Sequence, residues 1–106
     1  MRRQPIQCDT PLSLAIALLG SARSSMIHGT LGTYSASRQT IHFTNLNSGD
    51  IADIVIARAA TAASSCTLTI LSVTTPRMRR RITTIVRAFV RETQAPLNID
   101  LALQAA

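Results

Sequence analysis

The chain contains no lysine and no tryptophan, and its only aromatic residues are two phenylalanines and one tyrosine. Each absence excludes something. With so few rings, the core has to be assembled from Ile, Leu, Val and Ala, and the usual stacking platform for unpaired bases is missing. Cys8 and Cys66 stand far apart with no second thiol or histidine at ligand spacing, which argues against a disulfide framework and against zinc. They read as small buried or half-buried thiols, at home in a reducing compartment. No glycine-rich phosphate loop is present, because Gly29 and Gly32 do not lead into a helix start with a lysine. No serine sits in a nucleophile-elbow context. The expectation is therefore a non-enzymatic protein, without catalytic residues, cofactor or metal.

What is present is arginine. All eleven basic residues are Arg, against five acidic ones, for a formal charge of +6. Codon bias in a GC-rich genome is the plainest reading of the missing lysine; avoidance of lysine modification and an overprinted reading frame are sharper ones. A positive balance of this size favours polyanions, either nucleic acid or an acidic protein surface. At 106 residues and 46% apolar, the chain is one folded domain's worth, spanning 1–106 with residues 1–10 as an N-terminal arm.

The first element expected is a helix. Arg2 and Arg3 followed by the apolar run Leu12 to Leu19 and Gly20-Ser21-Ala22 imitate the three regions of a signal peptide. The polar stretch Gln7 to Thr10 breaks that pattern, so a buried helix is preferred over a secretion signal, and the location expected is cytoplasmic. Thr10 can cap this helix, Pro11 fits its first turn and Gly20 can end it. The run is too short to span a bilayer.

From Met26 to Leu46 the texture is β-branched and alternating around the polar SASRQ, which predicts two strands in a hairpin. His28 and His42 lie one in each strand, where pairing could bring the imidazoles together. Without a carboxylate or thiol partner they are expected to be structural. Asn47 or Ser48 then resembles a helix cap, with Asp50 and Asp53 as helix-dipole partners in the first turn rather than a catalytic pair, and a helix running to about Ser64. Thr67 to Val73 predicts a strand. At the C-terminus, Leu97, Ile99, Leu101 and Leu103 alternate with polar or small residues, as in a half-exposed strand closing a sheet.

Between these last two elements lies the most informative stretch, TPRMRRRITTIVRAFVRE from Thr75 to Glu92, which holds six of the eleven arginines. Thr75 can cap a helix and Pro76 can open it. Met78, Ile82, Ile85, Val86 and Phe89 recur with helical spacing and form the buried stripe. Arg80, Thr84, Arg87 and Arg91 fall on the opposite side, flanked by Arg77 and Arg81. A solvated face is the bland explanation of such a run. Against it, Arg77, Arg79, Arg80 and Arg81 crowd the first turn, where the helix dipole disfavours each cation by a few tenths of a kcal/mol. Only Glu92 could balance them, and it lies at neither i−3 nor i−4 spacing from any Arg. An unbalanced cluster of this kind is what a phosphate or a partner's carboxylates would complete.

Gly29-Thr30-Leu31, the strand Ile41 to Leu46, the helix start at Ser48-Gly49-Asp50, the strand Thr67 to Val73 and PRMRRRI resemble part of an anti-sigma-factor-antagonist (STAS) domain, over about two-thirds of the chain. That likeness implies a protein-binding regulatory role. The chain departs from the pattern in lacking a helix before Ile41, in having an extra helix before Gly29, and in lacking the Asp-Ser-Ser-Gly phosphorylation loop, so it is not assigned to that family.

The fold expected is an α/β (α+β) two-layer sandwich of order αββαβαβ, with about four strands in a mixed sheet and about three helices. The function expected is binding of DNA or RNA with little sequence specificity through Arg77, Arg79, Arg80, Arg81, Arg87 and Arg91. Arg2, Arg3, Arg23 and Arg38 are the secondary basic residues. The alternative is a regulatory or adaptor module that binds an acidic protein surface, or self-associates through the strand 97–103 if that edge is open.

Overall fold

The computed structural model describes residues 10–59 and 65–100, so Arg2, Arg3, Cys8 and the end of the C-terminal run at Leu101 and Leu103 lie outside the described residues. In chain order the elements are α1 (Pro11–Arg23), β1 (Ile27–Ser35), β2 (Arg38–Asn45), β3 (Ile51–Arg58), β4 (Cys66–Val73), α2 (Pro76–Thr93) and β5 (Leu97–Ile99). They form one five-stranded sheet in the order β1-β2-β3-β4-β5, antiparallel from β1 to β4, with β5 parallel to β4 after the α2 crossover. The α+β two-layer class is as expected, with five strands and two helices among the described residues where about four and about three were expected.

One element departs from expectation. The segment read as a central helix is the central strand β3, which pairs with both β2 and β4. Ile51, Ile54 and Val55 do have helical spacing, but Ile51, Ile54, Val55 and Ile56 are all β-branched, and such side chains pack well on a pleated surface. The cap-like residues before it make a turn instead. Asn45 Oδ1 accepts from the backbone of Asn47 at 2.9 Å and of Ser48 at 3.2 Å, and Gly49 takes φ +79°, after which the chain is extended. The STAS-like order fails at the same place, because it required a helix there.

Both helices cover one face of the sheet. Leu14, Ala15, Leu18 and Ala22 of α1 and Met78, Ile82, Ile85, Val86 and Phe89 of α2 join Ile27, Ile41, Phe43, Ile54, Ile56, Leu68 and Leu97 in a single core. One side of the signal-like run, Leu14, Ala15 and Leu18, is therefore part of that core, while Leu12 and Ile16 are exposed. Helix α1 starts at the Thr10 cap as expected, but it continues past Gly20 to Arg23, since nothing at Gly20 requires a break. Among the described residues, no helix is long and apolar enough to cross a membrane.

Where α1 crosses the hairpin, a side chain at Gly29 has little room. A Cβ on Gly29 would run into the Leu19 side chain and come within 2.9 Å of the Phe43 ring. Gly29→Val should overpack this contact and cost about 1–3 kcal/mol, read as a lower midpoint in urea unfolding.

Cys66 lies buried at the start of β4. Burial pushes its thiol above the ordinary value, with the neighbouring Arg58 guanidinium pulling the other way. In a Cys8→Ser variant, the native thiol should react with a thiolate-selective reagent much more slowly at neutral pH than the urea-unfolded chain does. Equal rates would show that the site is open.

Candidate functional site

Helix α2 begins where its arginines begin. The Thr75 hydroxyl accepts from Met78 N at 3.1 Å and Pro76 occupies the first turn, as expected. Its 18 residues extend about 27 Å. Met78, Ile82, Ile85, Val86 and Phe89 are buried as the periodicity requires, and Arg77, Arg80, Thr84, Arg87 and Arg91 are exposed. At about 100° per residue these five positions fall within an arc of roughly 80°. Among the described residues, Arg77, Arg80, Arg87 and Arg91 have neither an ion pair nor a side-chain hydrogen bond. The outermost arc of α2 thus carries a row of four guanidinium groups without an ion pair among the described residues.

The two remaining arginines stand apart from this row. Arg79 and Arg81 lie about 80° to either side of the centre of the apolar stripe, Arg79 half-buried and Arg81 exposed. Arg81 Nη2 donates to Ser25 O at 2.9 Å. Ser25 belongs to the turn from α1 into β1, where Met26 adopts φ 61°, so this contact fastens a strained turn to α2. Arg79 is half-buried beside Met78. Of the secondary residues, Arg23 in the last turn of α1 and Arg38 at the start of β2 are exposed.

At the head of α2, Asp50, Thr75, Pro76, Arg77 and Arg80 line a shallow depression of about 330 Å³. The Asp50 carboxylate accepts from Ser48 Oγ at 3.0 Å and from Thr74 Oγ1 at 3.1 Å. It ties the β2–β3 turn to the end of β4, and the helix whose dipole it was expected to serve is the strand β3.

The face of the sheet turned away from the helices carries a polar row. Thr30, His42, Asp53 and Ser72 stand opposite one another on β1, β2, β3 and β4. His42 Nδ1 lies 2.6 Å from Asp53 Oδ1, and Ser72 Oγ donates to Asp53 Oδ2 at 3.2 Å. Asp53 is therefore a cross-strand partner, not a dipole partner, and His42 has the carboxylate that the sequence reading had denied it. His28 faces Thr44, not His42, so the imidazoles are not directly opposed. A bulge makes the row possible: Asp53 pairs with Ser72 but Ile54 with Ile70, and the extra Leu71 turns Ser72 onto the Asp53 face.

Serine, histidine and aspartate meet here in an order that does not activate the serine. A nucleophile needs the imidazole between hydroxyl and carboxylate, whereas here the carboxylate is in the middle. Both partners of the His42–Asp53 pair are over two-fifths exposed, at 44% and 43%, where such pairs contribute at most about 1 kcal/mol. Among the described residues, no group of three His, Cys, Asp or Glu side chains could hold a metal ion. Sequence reasoning missed this row because 51–58 was read as helical. Read as a strand after a short turn, it puts Asp53 beside His42.

The different placement of Arg80 and Arg81 is testable by stability alone. Arg81→Ala should cost about 0.5–1.5 kcal/mol through loss of the bond to Ser25 O, while Arg80→Ala should stay within about 0.5 kcal/mol, both read by thermal unfolding. Equal effects would remove the distinction.

Compared with protein-family models, with curated proteins and with solved structures, the chain matches none.

Proposed function

We propose that this protein binds nucleic acid, without catalysis, through the exposed face of α2. The observation that carries this reading is the row Arg77, Arg80, Arg87 and Arg91, exposed on one helix and without an ion pair among the described residues. Like charges held in a row repel one another, and those at the head of α2 also oppose the helix dipole. A phosphate chain relieves both costs. Guanidinium groups pair bidentately with phosphate, and every contact releases condensed counterions. Arg23 and Arg38 add to the positive field, and Arg79 and Arg81 contribute charge while serving the fold.

Little sequence preference follows from the same surface. The side-chain amides that read adenine are absent, since α2 offers no Asn or Gln along its length, and its arginines are proposed as phosphate contacts. An acidic protein surface is the alternative anion. It would be distinguished by a pull-down that survives nuclease treatment.

The triple variant Arg80→Glu, Arg87→Glu, Arg91→Glu should abolish the mobility shift of DNA and RNA at low salt. Its thermal midpoint should stay near that of the parent, because all three side chains are exposed. Parent protein, purified free of nucleic acid, that shifts neither DNA nor RNA at low salt would overturn the reading. A triple variant that still binds would move the site off α2.

A further inference from the structure

We infer that the polyanion fitting the α2 face is a double-stranded nucleic acid, recognised through its phosphates, and not a single strand. This rests on the nucleic-acid reading above and names the form of ligand that the same face takes.

The row's geometry is set before any ligand arrives. Arg77 and Arg91 lie 14 positions apart on a continuous helix, about 21 Å along its axis. Five buried side chains from Met78 to Phe89 hold that helix on the sheet, so the spacing of the guanidinium stems is fixed. A duplex presents one charge per about 1.7 Å of axis, so about twelve phosphate charges lie along such a row, against about half as many on one strand. A surface that attracts by charge alone gains most from the denser polyanion. Each contact releases about 0.9 counterion from a duplex and about 0.7 from a single strand.

A single strand would need something further, and the face does not supply it. Unpaired bases are held by stacking on aromatic rings, at about 1–3 kcal/mol per base. Both phenylalanines are buried in the core, Phe43 at 1% and Phe89 at 2% exposure. Tyr34 is exposed, but it stands on β1 at the hairpin end and not on the helix. Beside α2, the exposed side of α1 offers Leu12, Ile16 and Arg23, again without a ring.

The test is a mobility-shift titration of the full chain against four 20-nucleotide probes of mixed sequence: duplex DNA, duplex RNA, and one strand of each. With four contacts, duplex affinity should fall with a slope of about −3.6 in log K against log salt, roughly 150-fold between 50 and 200 mM. Taken from equal affinity at 1 M salt, the difference in counterion release makes the duplexes bind about sixfold tighter than their strands at 0.1 M salt. Arg87→Gln should reduce the duplex slope by about 0.9, and Arg91→Gln likewise. A preference for the DNA or the RNA duplex identifies which helix carries the phosphates, and supports the inference either way. Single strands that bind as tightly as duplexes, or a duplex slope unmoved by both substitutions, would overturn the inference while leaving the nucleic-acid reading standing. Failure of all four probes at low salt would overturn both.

Discussion

The structure depends on one packing relation, in which two helices share a single face of the sheet. Helix α2 makes its contribution through Met78, Ile82, Ile85, Val86 and Phe89, which meet the inward side chains of β3 and β4 in the same core that α1 completes from the other side. Because that stripe fills one side of α2, the intervening positions must point outward. The arginines are on the outside for this reason, and the buried stripe fixes their spacing. Burial of the apolar side chains stabilises the fold by about 1.5–3 kcal/mol each, far more than the few tenths of a kcal/mol by which each arginine near the helix start opposes it. The cationic row can therefore persist without endangering the element that carries it.

The two surfaces of this sandwich differ in chemistry. The helical layer is cationic and ends the molecule in guanidinium groups free to pair. The uncovered face of the sheet is mostly uncharged, with Thr40 and Thr69 half-buried on either side of Val55, which is 5% exposed. On it His42 and Asp53 are hydrogen-bonded to each other, and Arg38 stands further along β2. A pair that is internally matched makes little demand on a ligand, whereas an unmatched row does. This contrast, more than the net charge of +6, directs attention to α2.

Not every charge in a run serves the surface. Arg81 reaches the carbonyl of Ser25 and Arg79 is half-buried, so a stretch that looks uniform as a sequence is divided by the helix into free and engaged members. The division is a matter of angle. At roughly 100° per residue, positions about 80° from the centre of the buried stripe lie at its margins, where a long side chain can lie along the protein.

Helix α2 was legible in the sequence down to its capping threonine, its opening proline and its buried stripe, because capping and 3.6-residue periodicity are local properties that tertiary contacts did not override. The β1–β2 hairpin and the cap of α1 were legible for the same reason. Segment 51–58 was not. Its apolar spacing suits a helix and its β-branched content suits a strand, and the choice fell to β2 and β4, which offer backbone partners along both of its edges. With that choice went everything that depends on strand register: Asp53 beside His42, Ser72 turned by a bulge onto the same carboxylate, and Asp50 linking two turns. The sequence by itself determined which residues of α2 face inward, since helical geometry needs no partner. Only the tertiary structure decided what stands across from what in the sheet, because cross-strand neighbours are set by pairing between distant segments.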